Sequence, residues 1–439
     1  MSNRLLLIVV LLSSLGLTAC KISTEPTTPE PLVASVETPN EAAPSDMDDP
    51  AVWVAAERQR SMVIAAAKEG GWRVYDLEGK ALQQFVPGVD SKGKPLNRFN
   101  NVDVQYNFNL NGRRVDLAVF SDRRQDRLAI YKIDRDDPRG PLVNVTSPEI
   151  SRLFPTRPNP DDRSKTVANA EDGKNTAYGL ALWRDRSNDR LYALVNQNNE
   201  AIIDQWELVA RPDNTVSARP VKKWQFAYQY KGQDLTQKSE TDPQKDFSPQ
   251  FEGMVVDQQT GILYAGQEDV GIWRVNLKTG VAEGKPFYET RTFDPHSRIA
   301  RDVEGLTIWY GRDGRGYLLA SSQGKAHGKV PNPTPGLDNT FAVFMREGDN
   351  APIGSFSIGA NRGLGIDAVQ ESDGADISTV ALPGFPFGVL ITQDGYNDDL
   401  NHLDGTVKAT NLKFTPWQRV ANSFSKALST DSNYDPRNP

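Results

Sequence analysis

At 439 residues the chain is long enough for one large domain or several small ones. Hydrophobic residues make up 38% and charged residues 24%, which allows a packed core, and the net charge of −7 argues against a nucleic-acid binder held by phosphate contacts. Local charge can oppose that total, so an anionic small-molecule substrate stays open.

The chain opens MSNRLLLIVVLLSSLGLTAC: a basic residue, Arg4, an apolar run, then small residues. This is the pattern of an export signal, and the run is too short to span a bilayer. The single cysteine, Cys20, directly follows Leu17, Thr18 and Ala19 and cannot form an intrachain disulfide. Its setting resembles the bacterial lipoprotein box, where the signal is cut before the cysteine and the thiol is lipidated; the competing reading is a chance cysteine beside an ordinary signal. Lys21, rather than an aspartate, comes next, which in such proteins points to the outer membrane. The expectation is a signal peptide over 1–19 and a cell-envelope lipoprotein of a Gram-negative bacterium whose only membrane contact is the lipid on Cys20. Residues 20–45, rich in Pro, Thr, Glu and Ala, read as a disordered tether. Residues 46–430 read as one domain and 431–439 as a flexible tail.

Within that domain, short runs of Val, Ile, Leu, Tyr and Trp alternate with Gly, Asp and Asn turns, which predicts strands. Only PWQRVANSFSKAL, near the end, reads as a helix. One grammar recurs along the chain: a polar or aromatic start, an apolar strand, a turn, a second apolar strand and a polar finish. It begins at Asp48 (DDPAVW), Asn100 (NNVDVQ), Tyr178 (YGLALW), Phe251 (FEGMVV) and Val303 (VEGLTI), with a weaker sixth example at Phe385 (FPFGVL). Starts spaced about 50 to 80 residues apart fit a repeat array with insertions in its loops. The predicted fold is all-β: a six-bladed β-propeller of four- to five-stranded antiparallel blades, with a β-sandwich of coincidental hairpins as the alternative. Trp53, Trp183, Trp273 and Trp309 follow strand spacing and read as core.

In an antiparallel hairpin the first strand's start lies beside the second strand's end. A ring of such hairpins therefore gathers the starts (Asp48, Asp49, Asn100, Asp103, Tyr178, Glu252, Asp302, Glu304) and the finishes (Lys68, Arg123, Asn198, Glu268, Gln323, Asp394) at one mouth. The groups are mostly oxygen donors, and the three histidines fall outside the repeat ends, so Ca²⁺, as several ions, suits them better than zinc. Carboxylates this crowded need cations to neutralise them; the alternative is a solvated acidic rim. Lys68 and Arg123 in the same mouth make a clamp for a highly phosphorylated anion, with Lys174, Arg298 and Arg301 as neighbouring candidates. There is no G-x-S-x-G, P-loop or H-E-x-x-H.

The stretches DDPAVW, GWRVYDLEGK, NNVDV, FEGMVVD, EDVGIWRV, DVEGLTIWY, GYLLASSQG, PFGVLITQDG and NLKFTPWQRVA together resemble the β-propeller phytases, also called alkaline phytases. The resemblance runs from Asp46 to about Val420, and DVEGLTI followed by GYLLASSQG carries the most weight. It implies a calcium-dependent phosphomonoesterase, of the 3-phytase type, acting on phytate or other inositol phosphates through a metal-activated water. A monomer is the separate expectation for its assembly. The resemblance implies Asp49, Asn100, the Val102 carbonyl, Glu252, Glu268, Asp302, Glu304 and Gln323 as calcium ligands, with Asp367 and, on a looser match in VETP, Glu37. Lys68, Arg123 and Tyr178 would contact phosphate, joining Glu252 and Glu304 in the catalytic group.

Two stretches depart from that pattern. After LYALV, where the family carries a phosphate-binding lysine, the chain reads Asn196, Gln197, Asn198 and Asn199, which leaves Lys174 as a candidate replacement. The loop GANRGLGIDAV is shorter than the family's Asp-rich one, puts Arg362 nearby and leaves only Asp367. These losses keep in view a non-catalytic surface-anchored propeller that binds phosphorylated ligands; another calcium-dependent propeller hydrolase, such as a lactonase, would share the fold and the oxygen-rich mouth but not the Lys68 and Arg123 clamp.

Overall fold

A computed structural model describes residues 32–170, 173–242, 245–323, 325–326, 330–331, 337–397 and 409–438. Six antiparallel sheets of four or five strands stand around one axis as the blades of a propeller. The innermost strands, in chain order, are Pro50–Trp53, Phe99–Leu110, Ala177–Asp185, Phe251–Asp257, Val303–Tyr310 and Ala375–Ser378. Each packs against the next, and the sixth packs against the first, which closes the ring. The predicted architecture is the observed one. Trp53, Trp183, Trp273 and Trp309 are buried, as expected of core.

The domain runs beyond its predicted limits at both ends. Val36–Glu37 and Glu41–Ala42 pair with Ala409–Pro416 in the sixth blade, Val36 opposite Phe414 and Glu37 opposite Lys413. The part of the expected tether that is described is thus the ring's closing strand. Ala34 and Thr38 are buried there, so short apolar and hydroxyl side chains suffice at an edge that is covered on one face. Residues 431–438 are likewise packed rather than a free tail. Tyr434 stacks on Tyr310 with ring centroids 3.9 Å apart, and Arg437 Nη1 pairs with Asp116 Oδ2 at 2.7 Å. Tyr434 and Pro436 line the cavity of about 100 Å³ at that end of the channel. The late helix covers only Trp417–Asn422, where Trp417 stacks on Trp309. Cys20 and the segment before residue 32 lie outside the described residues.

The sixth blade also differs from expectation. Its innermost strand is Ala375–Ser378, and the FPFGVLITQDG stretch supplies the second strand, Val389–Asp394. The inner strand has four residues and carries Asp376, so it lacks the apolar run that marks the other five.

One irregularity positions the mouth. In blades two to five the pairing of the first two strands skips a residue: between Phe99 and Val102, Ala177 and Leu180, Phe251 and Met254, and Val303 and Leu306. Two residues then oppose one, a bulge that re-aims a side chain. The residues it re-aims are Asn100, Tyr178, Glu252 and Glu304. In three of the blades glycine takes the second bulge position. A Cβ on Gly179 would lie 2.0 Å from the Glu252 carbonyl oxygen, and one on Gly253 would lie 1.8 Å from that of Glu304. Each glycine therefore lets the next blade's bulge approach, which draws the functional side chains together around the axis.

Candidate functional site

Glu252, Glu268 and Glu304 each bring a carboxylate oxygen within 4.8 Å of the other two, and all three residues are buried. Glu252 Oε1 accepts from Asn100 Nδ2 at 2.8 Å, and its Oε2 accepts from the Tyr178 hydroxyl at 2.6 Å. Burial, reinforced by Glu252, Asp302 and Asp269, holds Glu268 well above the usual carboxylate range. Burial followed by repulsion from Glu252, Glu268, Asp302 and Asp373 does the same to Glu304. Glu304 Oε2 and Asn100 Oδ1 are buried and make no hydrogen bond among the described residues. Oxygen donors alone, like-charged, desolvated and incompletely satisfied, make a set that fits a hard cation. Asp302, at φ 57°, is buried beside them.

A second acidic group surrounds Lys68. Its ammonium lies 3.1 Å from Asp46 Oδ2, 3.1 Å from Asp373 Oδ2 and 3.5 Å from Asp48 Oδ1. Burial alone would lower the Lys68 pKa, but Asp373, Asp48 and Asp46 raise it well above the ordinary lysine value. Asp373 Oδ1 also accepts from Gln323 Nε2, so this aspartate joins the two groups. Asp49, whose pKa is raised by burial, accepts from the Val102 amide at 3.0 Å and so ties blade one to the bulge of blade two.

Arg123 forms the third part. Its Nε donates to the Gly173 carbonyl and its Nη2 to Asn198 Oδ1, each at 3.0 Å, and its guanidinium lies 4.8 Å from the Tyr178 ring centroid. Asn198 Nδ2 donates to Gln250 Oε1 at 2.9 Å, and Gln250 Nε2 donates to Glu268 Oε1 at 2.5 Å. An unbroken run of side-chain hydrogen bonds therefore connects the guanidinium to the carboxylate triad. Burial, then Glu252 and Glu268, raise the Tyr178 phenol well above its ordinary value, which keeps it a donor.

Most of the residues singled out in the sequence thus meet at one mouth: Asp48, Asp49, Asn100, Val102, Asp302, Gln323, Lys68, Arg123, Tyr178, Asn198 and the three glutamates. Several stand elsewhere. Asp103 faces the channel with Asp376, accepts from the Leu182 amide at 2.7 Å and is pushed by burial to about 7. Arg301 is buried against Asp269, and Arg298 and Arg362 are exposed. Lys174 is exposed beside Gly173, the residue that accepts from Arg123.

Glu37 and Asp367, expected as metal ligands, instead face an internal ammonium. Lys413, with no exposed surface, contacts Asp367 Oδ1, lies 2.8 Å from Asp394 Oδ2 and lies 3.6 Å from Glu37 Oε2. A lysine at the centre of these carboxylates supplies the positive charge that a divalent ion would bring, so this donor set does not fit a metal.

Sequence reasoning missed Asp46, Asp373, Arg98 and Gln250. Asp373 precedes Gly374 and the sixth inner strand, and its signal was a D-G pair just before a short strand, comparable to the E-G pair at the start of the inner strands of blades four and five. Arg98 Nη1 pairs with Glu69 Oε1 at 2.5 Å, and its charge is felt by Lys68. Gln250 lies in a connection and carried no pattern.

A profile of the phytase family matches residues 2–240 and 242–439. The chain belongs to the phytase family. A 3-phytase of Bacillus subtilis (strain 168) is 29% identical over 431 residues, covering 96% of this chain and 94% of the relative. Among solved structures, the β-propeller domain of Cps50 (Swd1) from Myceliophteria thermophila is 12% identical, with a TM-score of 0.37 and 83% of each chain covered. Family membership makes the chain an enzyme, a phytase, rather than a non-catalytic binding propeller.

Proposed function

We propose that the chain hydrolyses phosphomonoesters of phytate, releasing phosphate, with Ca²⁺ held by the mouth's oxygen donors. The observation that carries this reading is the Glu252, Glu268 and Glu304 triad set beside the Arg123 guanidinium. Calcium suits an all-oxygen set that has no cysteine or histidine among its members. Asp46, Asp48, Asp302, Asp373 and the three glutamates outnumber Lys68, Arg98 and Arg123, so the bare mouth would repel a polyphosphate. When bound, calcium neutralises phosphate charge and lowers the pKa of a water so that it can attack phosphorus.

The chain's own groups bind and orient. Arg123 has Nε and one Nη2 hydrogen committed to Gly173 and Asn198, while its Nη1 makes no hydrogen bond among the described residues and is available to a phosphate oxygen. Tyr178, fixed by Glu252, stacks under that guanidinium and limits its motion. Lys68 holds Asp46, Asp48 and Asp373 in place and offers a point charge to the substrate's edge. The test is phosphate release from phytate by purified protein with calcium, with EDTA, and after calcium is restored. Release in calcium, loss in EDTA and recovery on restoration are expected; equal release in EDTA would overturn the calcium reading.

We propose in addition that residues 1–19 are removed on export and that Cys20 is acylated, which fits the apolar run and the small residues before it. Metabolic labelling with a radiolabelled fatty acid should mark the wild-type protein and not Cys20→Ser.

A further inference from the structure

At the end of the ring opposite the mouth, blades one and two enclose an open cavity of about 470 Å³. Phe99–Leu110 starts at the mouth, so the turn that leads into Arg113 lies at the far end. Ile133 pairs with Asp116 near that turn, so the segment after it, which carries Arg135, lies there too. Six cations line the cavity against four carboxylates, in a chain whose net charge is −7. Four of the cations are matched: Arg60 to Asp136 at 2.5 Å, Arg114 to Asp189 at 2.7 Å, Lys132 to Asp134 at 2.9 Å and Arg437 to Asp116 at 2.7 Å. Arg113 and Arg135 make no ion pair among the described residues. Half-buried Arg135 reaches across to blade one, where its Nη1 lies 3.5 Å from Met62 Sδ, a weak acceptor. Its Nε is buried and makes no hydrogen bond among the described residues. A guanidinium left in this state calls for an anion, because its desolvation is not repaid by any partner. Burial, then the charge of Arg60, holds Arg135 below the ordinary arginine value, a direction that a bound anion would reverse.

We infer that this cavity is an anion site for a phosphate group, carried by a small soluble molecule or by a lipid headgroup, and that Arg113 and Arg135 recognise it. The site lies at the opposite end of the ring from Arg123 and stands apart from the phytase reading of the mouth. Two unmatched guanidiniums offer two planar forks, and a phosphate dianion has oxygens for both. The volume is more than a lone ion needs and falls within the range of small-molecule sites. The acidic groups on its walls are largely spoken for. Asp116 accepts from the Asn107 amide, Trp53 Nε1 and Arg437, and Asp134 accepts from Lys132 and the Asp136 amide. Glu57 is exposed at the edge and opposes an anion.

The test is calorimetric titration of pyrophosphate, in EDTA and at low salt, into wild type and variants. Without calcium the acidic mouth repels this anion, so the heat reports the far cavity. Wild type should bind, and the Arg113→Ala, Arg135→Ala double variant should bind about a hundredfold more weakly, about tenfold for each charge-assisted contact. Glu57→Gln should bind more tightly, and Arg123→Ala should bind like wild type. Circular dichroism checks the fold. If the double variant does not fold, Arg113→Ala alone, at an exposed turn, carries the test with about tenfold weaker binding. Sedimentation with phosphatidylcholine vesicles, with and without phosphatidic acid, separates the two sources. Retention of wild type but not of the double variant on the phosphatidic acid vesicles, without pyrophosphate binding, assigns the phosphate to a lipid. Binding of neither probe, equal binding by wild type and the double variant, or binding lost in Arg123→Ala instead would overturn the inference.

Discussion

Gln250 has no charge and touches no substrate in this account, yet it is the joint between the cationic and acidic halves of the mouth. Replacing it with methionine keeps its length and removes three hydrogen bonds: one given to Glu268 Oε1 and two taken from Asn198 Nδ2 and the Asn199 amide. The bond to Glu268 is charge-assisted and worth about 2 kcal/mol to the ionised carboxylate, which is a factor of about thirty in an equilibrium constant. The buried Asn198 donor left behind costs about 1–2 kcal/mol of folding free energy, whereas Asn199 is exposed and its amide can turn to water. Calcium titration by calorimetry should therefore give a Kd weakened about thirtyfold. KM for phytate should rise as well, because Asn198 no longer holds Arg123. Urea unfolding at saturating calcium separates the folding cost from the binding cost. A Gln250→Met protein that folds and binds calcium within twofold of wild type would refute the hydrogen-bonded link between the two halves.

Two further outcomes follow from the buried charges. Lys413→Met leaves Asp367, Asp394 and Glu37 facing one another in a buried site and should cost about 3–5 kcal/mol in urea unfolding; a cost under about 1 kcal/mol would mean that the ammonium is not the cluster's counter-ion. Burial raises Asp103 to about 7 and Asp376 to about 6, so the folded chain holds protons that the unfolded chain releases. In EDTA the melting temperature should therefore fall as pH rises from about 4 to about 7, and a rise over that window would contradict the shifts.

The fold was legible because five blades announce themselves with the same pair of strands, and the turn chemistry between them sets the register. The sixth was displaced by one strand because Ala375–Ser378 is short and carries an aspartate toward the channel, so no apolar run marks it. The triad was legible because Glu252 and Glu304 each precede a glycine, and that pair is the bulge itself. Glu37 and Asp367 were misplaced because their partner, Lys413, lies in a strand where an inward lysine looks like any alternate position. Gln250 lies in a connection whose path only the three-dimensional structure shows. The tether's end and the tail were read as loose because ring closure and channel capping rest on a few specific contacts, such as Tyr434 on Tyr310, rather than on composition.

On the proposed function, Glu252, Glu268 and Glu304 together hold calcium. Equilibrium calcium binding to wild type and to the combined Glu252→Gln, Glu268→Gln, Glu304→Gln variant tests it most directly, with circular dichroism checking that the blades remain. The variant should keep the fold and lose at least one bound ion together with phosphate release. A folded variant that binds as many ions as wild type, with the same affinities, would contradict it.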